Sequence, residues 1–214
     1  MNFPADLLPH QTLALAYAKA DLRGEFETAL LLENRLGAVL RGASEPMIAQ
    51  LKLAWWRDRF AQSPEQWPKG EPLLARLSGW EGTERLVALV DGYEALLGDA
   101  LGPAAARSFA SGRGLLWAVT AQAAGLEKAA GEAARAGALV AYADLAANVA
   151  SEEERAVVVA TAEEVRPPRN LPRGLRPLQV LAGLADRALA RGGVDPASGP
   201  GAYLRAIRVG LLGR

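Results

Sequence analysis

The sequence predicts an all-α protein, a single-domain bundle of about ten helices that spans residues 1–214. Apolar residues recur at spacings of three and four along almost the whole chain, and no stretch shows the strict alternation of a half-buried strand. Ala and Leu dominate the runs between Gly and Pro clusters, and 50% of the residues are hydrophobic, which favours helices. A chain of 214 residues can form one full core without a second domain.

The helices of the N-terminal half are placed by their start and stop signals. Asp21 is a candidate N-cap for the second helix, and Ser-Glu-Pro at 44–46 is a typical helix start with proline in the first turn. Residues 64–72 are predicted to form a loop. The predicted helices are about 8–19, a segment after Asp21 that carries Glu33, the segment of Trp55 and Trp56, 73–77, and about 83–97.

The C-terminal half has equally clear breaks. Gly-Pro at 102–103 precedes a helix that ends near Gly125, and an Ala-rich helix follows from about 128 to 147. Ser151 and Glu154 form a capping-box pattern, which predicts a new helix at this point. Residues 165–174 contain three prolines and are predicted to be a loop, before two closing helices at about 177–190 and 201–212.

Composition excludes several kinds of site. Cysteine is absent and His10 is the single histidine, so disulfides, thiolate or multi-histidine metal sites and a Cys nucleophile are excluded. The first residues show neither a basic leader nor an apolar run long enough for a membrane span. We therefore expect a cytoplasmic protein, with the inner face of the membrane as a peripheral location, and no nucleic-acid partner.

The net charge of zero conceals an asymmetry. Residues 165–214 hold nine Arg and two Asp, a net charge of +7, which leaves −7 for the rest of the chain. Two interpretations stay open. In the first, the last helices dock on the acidic remainder of the chain. In the second, Arg166, Arg169, Arg173 and Arg176 form an exposed patch that attracts an anionic membrane surface or an acidic protein. In the first case, these arginines pair with the acidic residues at 152–154 and 163–164.

Two segments resemble the opening helices of the squalene/phytoene synthase family. They are Leu-Leu-Leu-Glu-Asn-Arg-Leu at 30–36 and Glu-Pro-Met-Ile-Ala-Gln-Leu-Lys-Leu-Ala-Trp-Trp-Arg-Asp at 45–58. Segments 89–94, 112–116, 142–148 and 171–172 are similar to later motifs of that family. The resemblance implies an isoprenoid-synthase helical fold with a central apolar cavity, and a prenyl diphosphate or another isoprenoid as the ligand.

Working members of this family hold Mg²⁺ between two facing acidic motifs, which neutralises the departing diphosphate. The first motif is missing here, because no carboxylate follows Arg35 until Glu45. At the second motif the resemblance implies catalytic positions at Asp144 and Asn148. One interpretation is that the two residues are polar remnants of the motif or a structural hydrogen-bonded pair. The other is that they hold a metal or a diphosphate. Glu152 follows at the same four-residue spacing, and it would share a helix face with Asp144 and Asn148 only if the helix continued through Ser151. We predict no metal site.

The resemblance implies four substrate-binding candidates: Arg35, Trp56, Arg57 and Asp91. The two arginines would bind diphosphate oxygens, although ion pairs with acidic neighbours are the alternative for both. For the tryptophan the alternative is core packing, because Trp55 and Trp56 are adjacent and point to different sides of one helix. We expect this helix to pack against the helices of Glu33 and Asp144.

Three hypotheses for function follow. The first is a family member that has lost Mg²⁺-dependent condensation and acts as a binding or assembly protein, similar to the branch related to a respiratory complex I assembly factor. The second is an active prenyltransferase that joins farnesyl or geranylgeranyl diphosphates with Mg²⁺ as cofactor. The third is a non-catalytic binder of isoprenoid lipids.

Overall fold

The chain forms ten α-helices over the residues described by a computed structural model, which are 7–43, 45–98, 100–168 and 171–213. Short 3-10 turns connect several of them. The helices are α1 (Pro9–Leu15), α2 (Arg23–Arg41), α3 (Pro46–Phe60), α4 (Pro72–Leu77), α5 (Val87–Glu94), α6 (Pro103–Ala123), α7 (Ala130–Asn148), α8 (Glu152–Ala162), α9 (Arg176–Leu189) and α10 (Pro200–Leu212). The predicted all-α class and helix number are confirmed.

Most helix starts lie where the sequence signals place them. α3 and α6 begin at their prolines, and the Ser151 hydroxyl accepts a hydrogen bond of 3.0 Å from the backbone N–H of Glu154 at the start of α8. The N-cap predicted at Asp21 is wrong. Asp21 lies inside the 3-10 turn Ala20–Leu22, and α2 follows without a side-chain cap.

α6 is the central helix of the bundle. It packs against α5 on one side and against α7 on the other, and α7 packs in turn on α8 and α9. α3 packs on α5 and α2, so its predicted contact with the helix of Glu33 is confirmed. The predicted packing of α3 on α7 is wrong: α7 is not among the main neighbours of α3 in the described chain, because α3 packs on α5, α5 on α6, and α6 on α7.

Within the described ranges, none of the helices combines the length and the apolar character that crossing a bilayer requires.

Candidate functional site

Three charged side chains meet in the interior, one from each of three helices. Arg113 of α6 makes two hydrogen bonds to Glu33 of α2, from Nε to Oε1 at 2.9 Å and from Nη2 to Oε2 at 2.8 Å. Its Nη1 donates to Oδ2 of Asp144 on α7 at 2.7 Å. The side chains of Glu33 and Arg113 are 3% and 4% exposed, and that of Asp144 is 30% exposed. One guanidinium therefore joins a buried carboxylate to a carboxylate at the surface.

Two aromatic side chains complete the hydrogen bonding around Glu33. Trp117 donates from Nε1 to Oε1 of Glu33 at 3.0 Å, and the Tyr93 hydroxyl donates to the backbone carbonyl of Glu33 at 3.0 Å. The guanidinium of Arg113 also lies over the ring of Phe109, 5.5 Å from its centroid. Such a network makes the burial of charge tolerable, since each polar atom that loses water gains a partner. We call Glu33, Arg113, Asp144, Trp117 and Tyr93 the central polar cluster.

Glycines on both sides of Arg113 bring the helices close enough for these contacts. A Cβ at Gly112 would lie 2.5 Å from the carbonyl oxygen of Ala88 on α5, and one at Gly114 would lie 2.6 Å from that of Ala134 on α7. Only hydrogen fits in these gaps, so α6 lies against both neighbours. Arg113 is thereby held between them with its side chain directed at Glu33.

Burial and charge act in opposite directions on the two central ions. Burial raises the pKa of the Glu33 carboxyl, and the attraction of Arg113 opposes this without cancelling it. Burial also disfavours the charged form of Arg113, but the charges of Glu33 and Asp144 outweigh that cost and hold its pKa well above the ordinary value. Arg113 is therefore a permanent cation inside the protein.

Tyr93 provides a spectroscopic probe of this cluster. Burial raises the pKa of the Tyr93 hydroxyl above its ordinary value. The stability that this proton provides is complete below pH ~10 and is lost as the pH rises through the higher folded-state pKa. We expect spectrophotometric titration of the native protein to show less phenolate near pH ~10 than the unfolded chain, with the difference between native protein and Tyr93→Phe appearing only at higher pH.

Unfolding of Tyr93→Phe should show a loss of ~1 kcal/mol at neutral pH from the missing hydrogen bond, and a weaker alkaline decline than the native protein. Tyr203→Phe is the control, because that ring is exposed on α10. Ionisation of Tyr93 in the folded protein near pH ~10 would contradict this account.

The two predicted catalytic residues lie together at the end of α7. Asp144 binds Arg113 through its side chain, while the Asn148 side chain donates from Nδ2 to the backbone carbonyl of Asp144 at 2.7 Å. α7 ends at Asn148 and α8 begins at Glu152, so Glu152 is not on the same helix as Asp144 and Asn148. It instead forms an ion pair with Arg155. The interpretation of Ser151 as a new helix start is confirmed.

The four predicted substrate-binding residues make their contacts with residues other than Asp144. Arg57 of α3 pairs with Asp91 of α5, Nη2 to Oδ1 at 2.5 Å, and also with Glu94. Arg35 lies 3.6 Å from a carboxylate oxygen of Glu71. Trp56 is buried against Phe60, with ring centroids 5.6 Å apart. The structure thus joins Arg57 to Asp91 and places Arg35 and Trp56 in separate surroundings.

The predicted basic patch is only partly exposed. Arg166 and Arg173 are exposed, whereas Arg169 lies outside the described residues. Including Arg176 in the patch is wrong, because it is half-buried and donates to Gln179 at 2.7 Å. Two of the acidic residues upstream pair with other arginines: Glu152 with Arg155 and Glu164 with Arg107.

Sequence reasoning missed Arg113 as the centre of the site. A signal was present, because Arg113 is the one charged residue between Arg107 and Glu127 and stands between two glycines. A lone charge on an otherwise apolar helix requires a buried partner. The sequence does not indicate which of the many carboxylates provides it.

Comparison of the chain with protein-family models, curated proteins and solved structures finds no match. Its resemblance to the squalene/phytoene synthase family therefore stays a prediction. Among the described residues no group of three or more His, Asp or Glu side chains is arranged to hold a metal ion. Two surface pockets of about 330 and 340 Å³ are lined by other residues than the central polar cluster.

Proposed function

We propose that this protein is a non-catalytic relative of the squalene/phytoene synthases that acts as a binding or assembly protein. One observation carries the proposal. The guanidinium of Arg113 lies between Glu33 and Asp144, carboxylates of two different helices. In the family that the sequence resembles, metal ions lie between two facing acidic motifs. Here a fixed side-chain cation lies between the two carboxylates.

The residues of this site do not fit Mg²⁺, which takes near-octahedral oxygen coordination. Both carboxylate oxygens of Glu33 accept from Arg113, and Oδ2 of Asp144 does so as well. The side-chain nitrogen of Asn148 donates to the backbone and leaves a single amide oxygen at this position. A metal ion would have to displace a cation whose N–H groups already form three hydrogen bonds, and would then adjoin it in a buried site.

The charge of the cluster also disfavours a diphosphate. Glu33 and Asp144 carry two negative charges against the one positive charge of Arg113 when all three are ionised. Arg35 and Arg57, the predicted diphosphate ligands, have carboxylate partners of their own. An incoming polyanion would meet no free cation among these residues, and its departure in a reaction would lack the metal stabilisation on which rate depends.

A binding role is supported by the outer face of α3. Four apolar side chains are exposed along this helix, at positions that share one side: Met47, Ile48, Leu51 and Trp55. Met47 and Leu51 are each 67% exposed. Contiguous apolar patches of this kind are typical of protein interaction surfaces. The face lies on α3, whereas the central polar cluster is built from α2, α5, α6 and α7.

The test is incubation with farnesyl or geranylgeranyl diphosphate and Mg²⁺ while diphosphate release is measured. We expect release at the background rate. Metal-assisted charge stabilisation is worth several kcal/mol, and each ~1.4 kcal/mol is a tenfold change in rate. Asp144→Ala should leave the background unchanged.

Two outcomes would support the other hypotheses. Release well above background that Asp144→Ala abolishes would make the protein an active prenyltransferase. Calorimetric binding of farnesol and of farnesyl diphosphate without turnover would favour an isoprenoid-lipid binder.

A further inference from the structure

The outer face of the last helix is almost entirely apolar. Of the six exposed positions on α10 with described side chains, five are large hydrophobic residues and the sixth is Arg208. The five are Tyr203, Leu204, Ile207, Leu211 and Leu212. Leu204 is 69% exposed and Leu211 is 70% exposed. Solvent contact on this scale is costly for Leu-sized side chains, so the face is expected to have an occupant.

α10 cannot rotate to bury these residues. Its inner face consists of small side chains, including Ala202, Ala206 and Val209, which are buried. A Cβ at Gly210 would lie 2.3 Å from the ring of Tyr17. Only small residues fit between α10 and the rest of the protein, so the bulky apolar residues of α10 must face the solvent.

The charge around this face is positive. No acidic residue follows Asp195 in the chain, and helical spacing places Arg205 and Arg208 along one edge of the apolar face. Arg205 forms a long ion pair with Asp186 of α9, at 3.8 Å, and its buried Nε has no hydrogen-bond partner in the described structure. Arg205 also lines a pocket of about 330 Å³ with Pro167 and Pro168, and the exposed Arg166 directly precedes these prolines in the chain.

We infer that α10 binds an anionic lipid surface, lying in the plane of the membrane with its apolar face inserted and Arg205 and Arg208 at the headgroups. An apolar helix face with basic residues at its edge is the arrangement of interfacial helices. Two copies packed antiparallel through this face would bring their basic edges together, which like-charge repulsion disfavours. The inference is independent of the proposed function, because α10 contributes nothing to the central polar cluster.

The experiment is co-sedimentation of the full chain with vesicles of equal parts phosphatidylcholine and phosphatidylglycerol, with pure phosphatidylcholine vesicles in parallel. We expect binding to the anionic vesicles that weakens with salt, since the Debye length falls from ~10 Å at 0.1 M to ~3 Å at 1 M. Leu204→Gln with Leu211→Gln should reduce the partition coefficient roughly tenfold per residue. Arg205→Gln with Arg208→Gln should reduce it about fivefold per residue and flatten the salt dependence.

A matched control lies on α3. Met47→Gln with Leu51→Gln removes two apolar side chains that are each 67% exposed, and it should leave vesicle binding unchanged. Three results would each overturn the inference. They are a loss of vesicle binding in this control equal to that of the α10 leucine variant, equal binding to neutral and anionic vesicles, and no binding to anionic vesicles at low salt. A dimer in size-exclusion chromatography that only the α10 variant dissociates, without vesicle binding, would also overturn it and assign the face to a second copy. All the substituted side chains are at least partly exposed, and a helical circular dichroism spectrum checks that each variant is folded.

Discussion

Arg113→Met is expected to destabilise the protein by ~3–5 kcal/mol, the cost of breaking a buried ion pair by removing one partner. Total stabilities of single domains are ~5–15 kcal/mol, so the variant should lose a large share of its stability. The reason is the burial of Glu33, which would retain Trp117 as a donor but lose two hydrogen bonds and its neutralising charge. Urea unfolding followed by circular dichroism measures the effect.

The stability lost in Arg113→Met should depend on pH, and it should be greater at neutral than at acidic pH. Without Arg113, the pKa of Glu33 rises further, because burial is then opposed only by the Trp117 hydrogen bond. A carboxyl with a raised folded-state pKa stabilises the fold at low pH, and this stability is lost as the pH rises from the unfolded pKa through the folded one. Arg113→Met should therefore be closer to the native protein at acidic pH than at neutral pH.

Two further variants separate charge from packing. Asp144→Asn removes the charge of a carboxylate that is 30% exposed, where water can take over much of its interaction with Arg113. We therefore expect a much smaller loss of stability than in Arg113→Met. The double variant Glu33→Leu with Arg113→Met should be more stable than Arg113→Met alone, since no buried charge is left unpaired. A neutral effect of Arg113→Met, or a double variant whose losses simply add, would contradict the assigned role of the pair.

The helix boundaries could be predicted because their causes are local. Pro46, Pro103 and Ser151 act on residues within one turn, and all three mark helix starts in the structure. The failure at Asp21 has a local cause too, because a 3-10 turn lies where the sequence suggested a capped helix start. A short polar side chain favours several turn conformations, and sequence spacing alone does not distinguish them.

The central polar cluster could not be predicted, because its contacts are distant in sequence. Glu33 and Arg113 are 80 residues apart, and Arg113 and Asp144 are 31 apart. Periodicity shows which face of each helix is apolar, but it does not show how three helices are rotated against one another. Trp55 and Trp56 illustrate the same limit: the pattern places them on different sides of α3, and only packing decides that Trp56 is the buried one.

Gly112→Ala is expected to be the most damaging of the single-methyl additions to α6. The new Cβ would lie 2.5 Å from the carbonyl oxygen of Ala88 and 3.0 Å from the Cα of Leu89, which are backbone atoms of a packed helix. Backbone cannot move aside as a flexible side chain can, so α5 and α6 must separate along their contact. Overpacking of this kind costs ~1–3 kcal/mol or more, and urea unfolding measures it.

Gly131→Ala on α7 is the matched control. Nothing lies within 4 Å of the position of its Cβ, so the same substitution should cause no loss there and a gain of up to ~1 kcal/mol from helix propensity. Gly112 adjoins Arg113, so separation of α5 from α6 should also loosen the contact between Arg113 and Glu33. The effects of Gly112→Ala and Arg113→Met should then be less than additive, since each disturbs contacts that the other requires. Full additivity would mean that the close approach at Gly112 supports packing alone, without positioning the buried cation.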